Sequence, residues 1–204
     1  MIKTFTAAVF AAAVVLSAPT AFAAVAAGQS APDFTLTDIS GKQRSLSEYK
    51  GKYVVLEWFN SECPFVQKHY ESSNMQSLQK KYGGKGVVWL TINSTSPDSS
   101  NYRSPAQSQQ IARDWSINSS AFMLDPDGKV GQAYGARTTP HMWVIDPQGK
   151  VIYSGGIDDK ATYRPADVQG ARNFVAAALD ESMAGKPVAV PAAAPYGCSV
   201  KYKY

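Results

Sequence analysis

The segment Tyr53-Val54-Val55-Leu56-Glu57-Trp58-Phe59-Asn60-Ser61-Glu62-Cys63-Pro64-Phe65 decides the fold. Tyr53 to Phe59 is a nearly continuous apolar run, the pattern of a central strand buried on both faces. Asn60-Ser61-Glu62 turns the chain, and Cys63-Pro64 opens a helix-like run. A thiol at a helix N-terminus meets the positive end of the macrodipole and unpaired backbone N–H groups, and both favour the reactive thiolate. Proline suits the first helical position, where its missing N–H costs nothing. The neighbouring Glu62 opposes that ionisation. Cys63 is therefore the candidate nucleophile.

Upstream, Phe34-Thr35-Leu36 and Gln43-Arg44-Ser45-Leu46 flank the turn Ile39-Ser40-Gly41-Lys42 and read as a β-hairpin. Downstream, the spacing predicts a helix over 64–82, stopped by Gly83-Gly84, and a buried strand over 86–92. A Ser/Asn/Asp/Pro loop over 93–104 follows, then a helix from Ser104-Pro105 to about Trp115 and a strand at Ala121–Leu124. Asp125-Pro126-Asp127-Gly128 is a turn and helix cap that leads into a short helix ending at Tyr134-Gly135. His141–Ile145 and Val151–Tyr153 form a hairpin around Asp146-Pro147-Gln148-Gly149, and a last helix is predicted over 165–183. This order of elements argues for an α/β sandwich with one mixed sheet flanked by helices.

The ends carry a different kind of information. Lys3, the apolar stretch Ala7–Leu16 and Ala21-Phe22-Ala23 have the features of a cleavable secretory signal. The expected organisation is a signal peptide at 1–23, one redoxin domain at 24–183, and a Pro/Ala-rich semi-extended tail at 184–204. The expected location is periplasmic or secreted, with no stable membrane insertion after cleavage. The net charge of +4 includes no Lys/Arg block, which argues against nucleic acid as a partner. There are 2 cysteines, Cys63 and Cys198, and an exported pair is either bonded or actively kept reduced.

Four motifs carry a family resemblance. They are Ala31-Pro32-Asp33-Phe34-Thr35-Leu36, Glu57 to Phe65 with Cys63, Thr139-Pro140-His141 before the strand Met142–Asp146, and the terminal Gly197-Cys198-Ser199-Val200-Lys201. Together they resemble the thioredoxin-like redoxins of the alkyl hydroperoxide reductase/thiol-specific antioxidant group, and within it the exported peroxiredoxin-like subfamily. The resemblance implies a thioredoxin-like fold with an N-terminal β-hairpin extension. It also implies antioxidant or thiol-disulfide oxidoreductase activity, without an organic cofactor. Departures from the pattern are equally specific. Val66 replaces the second cysteine of Cys-x-x-Cys. Asn60 and Leu56 stand where peroxiredoxins carry Thr or Ser and Pro. The activating Arg expected near Pro140 is missing, with Arg137 the nearest substitute.

In such a redoxin, Glu57 would be a buried acid behind the thiol that relays a proton; otherwise it is a strand-edge carboxylate. Pro140 would be a cis-proline that lays Thr139 against Cys63, where an extended partner can pair. Cys198 has three readings: a resolving cysteine for Cys63, a permanent staple for the tail, or a ligand or intermolecular partner. As a resolving cysteine it serves a catalytic cycle in which Cys63 attacks a peroxide or protein disulfide and an external dithiol reductant restores both. An alternative of another class is a copper or zinc binding or delivery site built from Cys63, His141 and Cys198. A further alternative is a non-catalytic partner-binding protein with a structural Cys63–Cys198 disulfide. His69, six positions after Cys63 on the helix, is expected to point away from the thiol as a surface or core residue.

Overall fold

A computed structural model describes residues 24–203. The signal-peptide reading of 1–23 lies outside the described residues. The strands are β1 (Thr35–Asp38), β2 (Gln43–Ser45), β3 (Val54–Trp58), β4 (Val88–Asn93), β5 (Ala121–Leu124), β6 (Thr138–Thr139), β7 (His141–Ile145), β8 (Val151–Gly155) and β9 (Cys198–Ser199). The α-helices are α1 (Pro64–Glu71), α2 (Asn74–Gly83), α3 (Pro105–Asp114), α4 (Lys129–Tyr134) and α5 (Phe174–Met183).

Seven strands make one mixed sheet in the order β2-β1-β5-β4-β3-β7-β8, and β6 and β9 pair apart from it. β3 runs parallel to β4, and β4 to β5, whereas β7 lies antiparallel on the other side of β3. The apolar segment read as central is thus hydrogen-bonded on both edges and fully buried. Its alternation divides two cores. Val54, Leu56 and Trp58 join Trp143, Tyr134 and Ile92 on one face. Val55 and Phe59 join Trp89, Tyr82 and Leu179 on the other, together with Cys63. α5 packs on β7 and β8, and α2 on β4.

Two expectations change in detail. The helix predicted over 64–82 is two helices, broken at Ser72-Ser73, where Ser73 takes a left-handed φ of 57°. Serine competes poorly for helix interior positions because its hydroxyl bonds nearby backbone. The helix predicted over 165–183 is a 3-10 turn at Pro165–Val168 and then α5, with Gly170 at φ 80° between them. The expected N-terminal β-hairpin extension is present, and its β1 pairs antiparallel with β5, so it lengthens the main sheet.

The tail, read as a semi-extended segment, is bound to the body over much of its length. Ser154 N–H donates to Pro191 O at 3.1 Å, Val200 N–H to Arg137 O at 3.0 Å, and Ser96 N–H to Lys201 O at 2.7 Å. Body glycines make room for it. A side chain at Gly155 would strike the Ala193 carbonyl, and one at Gly128 would meet the Tyr202 ring at 2.5 Å. Among the described residues no helix is long and apolar enough to cross a membrane.

Candidate active site

Cys63 is the N-cap of α1, with Pro64 at the first helical position, as the sequence predicts. Its carbonyl accepts from Val66 N–H and Gln67 N–H, both at 2.9 Å, and its own N–H donates to Asn60 O at 3.1 Å. The Asn60 side chain holds the turn, accepting from Glu62 N–H at 2.8 Å and donating to Thr95 Oγ1 at 3.0 Å. The sulfur is 2% exposed and its S–H donates to the Thr139 carbonyl at 2.9 Å. The Thr139–Pro140 bond is cis, and it lays this carbonyl on the thiol.

Cys198 reaches the same place from the tail. β9 pairs antiparallel with β6, with Thr139 opposite Cys198 and Thr138 opposite Ser199. Gly197 passes over the Thr139 carbonyl so closely that a Cβ there would collide with it, and its φ of 132° also excludes ordinary side chains. Both cysteines are free thiols. Burial pushes Cys198 up to about 12, and its hydrogen bond to Cys63 and the charge of Cys63 push the same way. Two of these three causes come from Cys63.

The structure therefore brings Cys63, Thr139, Pro140 and Cys198 together. Glu57 lies on the face of the sheet that carries α1 and α2, fully buried. Its carboxylate accepts from Trp89 Nε1 at 2.7 Å, Tyr70 Oη at 2.8 Å, Gln79 Nε2 at 3.2 Å and Thr91 Oγ1 at 3.3 Å. Burial raises its pKa, and these hydrogen bonds oppose the rise. The strand-edge alternative for Glu57 is excluded by this burial.

Among the described residues no group of three or more His, Cys, Asp or Glu side chains is placed to hold a metal ion. His141 Nδ1 accepts from Arg137 N–H at 3.3 Å, and its ring lies 4.0 Å from that of Trp143. Burial and Arg137 lower its pKa to about 3, so the ring is neutral. With Nδ1 taken as an acceptor, the proton sits on Nε2 and neither nitrogen keeps a free lone pair. Arg137 itself is exposed, and the site uses its backbone.

Two contacts escaped the sequence reading. Arg103, from the Ser/Asn/Pro loop, pairs with Glu62 at 2.6 Å and offsets the negative charge beside Cys63. Tyr196, two residues before Cys198, donates to Asp158 Oδ1 at 2.5 Å and meets His69 Nε2 at 3.1 Å. Local spacing carries no sign of either, because each joins segments far apart in sequence.

A cysteine capping the helix that follows a central parallel strand, faced by a cis-proline, defines a thioredoxin-like redoxin. The AhpC/TSA family model matches residues 27–154, and the chain belongs to that family. It is 30% identical over 128 residues to the thiol-disulfide oxidoreductase ResA of Geobacillus thermodenitrificans, covering 63% of this chain and 68% of ResA. The thioredoxin-like protein YneN of Bacillus subtilis is 29% identical over 143 residues, 69% of this chain and 79% of YneN. Among solved structures, an uncharacterized conserved protein from Geobacillus kaustophilus superposes with a TM-score of 0.77 at 29% identity, covering 87% of this chain and 92% of its own. The thioredoxin domain of a Bacteroides vulgatus thiol-disulfide oxidoreductase shares the fold, with a TM-score of 0.52 at 23% identity, covering 64% of this chain and 89% of its own. Family and relatives make the chain an oxidoreductase that works through thiol chemistry.

Proposed function

We propose that this chain is an exported thiol-disulfide oxidoreductase of peroxiredoxin-like type, with Cys63 as nucleophile and Cys198 as resolving cysteine. The observation that carries the reading is the pairing of Cys198 with Thr139, whose carbonyl receives the Cys63 thiol. The Cys63 thiolate attacks one sulfur of a substrate disulfide, forming a mixed disulfide and releasing the other sulfur as thiolate. With a peroxide it attacks the terminal oxygen, becoming a sulfenic acid while the O–O bond breaks and an alcohol or water leaves. Cys198 then loses its proton and attacks the Cys63 sulfur, expelling the substrate thiolate or water. The resulting Cys63–Cys198 disulfide carries two oxidising equivalents, and an external dithiol returns both sulfurs to thiols. Thr139 and Pro140 orient Cys63, and Glu57 serves as a proton reservoir behind it. The names of the ResA relatives favour disulfides as the oxidant.

The test uses reduced protein and one equivalent of a small disulfide or of hydrogen peroxide. The wild type should consume the oxidant and release the substrate thiol. Cys198→Ser should stop at a Cys63 mixed disulfide or sulfenate, and Cys63→Ser should consume none. Consumption by Cys63→Ser at the wild-type rate would refute the assignment.

A further inference from the structure

The tail is held most elaborately at Tyr196, outside the reacting atoms. Tyr196 Oη donates to Asp158 Oδ1 at 2.5 Å, so the His69 Nε2 contact at 3.1 Å is a donation from the histidine. The other ring nitrogen, Nδ1, then accepts from Asn74 Nδ2 at 2.9 Å. Lys68 Nζ donates to the Lys160 carbonyl at 2.6 Å, lies 3.5 Å from Asp158 Oδ2, and sits 5.3 Å from the Tyr196 ring centre. The Phe65 ring also packs on it in a tilted contact, 5.9 Å between centres. Lys68 and His69 are both 0% exposed and Asp158 is 3% exposed. A buried lysine, aspartate and histidine cost desolvation energy, yet Cys63 and Thr139 make no bond to any of them.

The spacing gives this cluster a purpose. Phe65, Lys68 and His69 lie on one helix, α1, whose N-cap is Cys63. From the N-cap to Lys68 and His69 the helix rises about 8 Å. From Tyr196 to Cys198 an extended chain covers about 7 Å. One rigid helix thus fixes both the nucleophilic sulfur and the anchor of the strand that must deliver the second sulfur to it.

We propose that Tyr196 is the positioning residue for Cys198: seated on Phe65, Lys68, His69 and Asp158, it sets the register in which β9 presents Cys198 to Cys63. This inference rests on the Cys63–Cys198 pairing proposed above. The anchor raises the effective concentration of one thiol at the other, as any preorganised intramolecular reaction does.

The experiment equilibrates the protein with glutathione redox buffers and reads the Cys63–Cys198 reduction potential. It compares the wild type, Tyr196→Phe, and a variant with one glycine inserted between Tyr196 and Gly197. Tyr196→Phe should lower the effective concentration about tenfold, moving the potential about 30 mV less negative. The insertion keeps the anchor and changes only the spacing, so it should lose at least as much, and it decides the matter if Tyr196→Phe loses stability. In a Cys198→Ser background, the rate at which Cys63 reacts with glutathione disulfide should be the same with and without Tyr196→Phe. Equal potentials in all three proteins would overturn the role of Tyr196. A wild type that forms no Cys63–Cys198 disulfide at any potential would instead overturn the pairing on which it rests.

Discussion

Cys198 lies directly opposite Thr139 in the two-stranded β6–β9 sheet. Thr139 also accepts the Cys63 thiol on its carbonyl, so one backbone residue links two cysteines from opposite ends of the domain. Antiparallel pairing holds the Cys198 Cα about 5 Å from that of Thr139, the residue whose carbonyl the Cys63 thiol meets at 2.9 Å. Folding of the tail onto β6 therefore brings Cys198 to the residue that contacts Cys63.

The ionisation of Cys198 should depend on Cys63. Burial, the hydrogen bond to Cys63 and the charge of Cys63 together hold it near 12. Cys63→Ala removes the last two, so the pH midpoint for alkylation of Cys198 by iodoacetamide should move to lower pH than in the reduced wild type. An unchanged midpoint would mean that Cys63 exerts no influence on its partner.

Gly197→Val should detach the tail. A side chain there collides with the Thr139 carbonyl and meets Pro140 N at 3.3 Å. The cost falls on β9 and leaves the main sheet intact. The expected readouts are faster alkylation of Cys63, which is 2% exposed with the tail in place, and a Cys63–Cys198 disulfide at least about tenfold less favoured. Unchanged alkylation of Cys63 would show that the tail does not cover it.

Glu57 allows the scaffold and the proton-relay roles to be separated. Glu57→Ala removes the acceptor that four buried donors share and opens a cavity, for an expected loss of about 3 kcal/mol or more in urea unfolding. Glu57→Gln preserves volume. If the carboxyl relays protons, this variant should alter the pH profile of Cys63 reactivity by more than its change in stability explains. An identical profile would confine Glu57 to holding Trp89, Tyr70, Gln79 and Thr91.

The parts of this molecule visible in its sequence are those encoded locally. The run from Tyr53 to Pro64 specifies a buried strand, a turn and a capped helix, and the structure has all three. Ser104-Pro105 with Gln107 forms the capping box that starts α3. Cys63, Thr139 and Pro140 could be named because each sits in a short motif. The helix breaks at Ser73 and Gly170 were missed because apolar periodicity continues across them, while the local backbone preference that stops each helix leaves no mark on that period. The Tyr196 anchor and the Arg103–Glu62 pair were missed because they depend on tertiary contacts between distant segments. His69 shows the limit well: six positions after the thiol it does point elsewhere, and its target is the tail that brings the second thiol back.

Acid should unfold the protein through its buried histidines. Burial lowers both to about 3, with Lys68 adding to the effect on His69 and Arg137 to that on His141. The unfolded chain binds these protons from about pH 6.5 downward, and the native state does not until about pH 3. The stabilisation is therefore complete above pH 6.5 and is lost as pH falls towards 3, by up to about 1.4 kcal/mol per pH unit for each histidine. Urea unfolding at pH 7, 6, 5 and 4 should show this slope, and His141→Gln should reduce it. A stability that is flat from pH 7 to 4 would contradict the neutral buried state of both rings.

The central claim is that Cys63 and Cys198 of one chain form a redox pair. Its most direct test is a thiol count and non-reducing peptide map, by mass spectrometry, before and after one equivalent of a mild oxidant. The account predicts two free thiols beforehand, none afterwards, and a single cross-linked peptide joining Cys63 to Cys198 within a monomer. Cys63 oxidised alone with Cys198 still free, or a disulfide found only between chains, would contradict it.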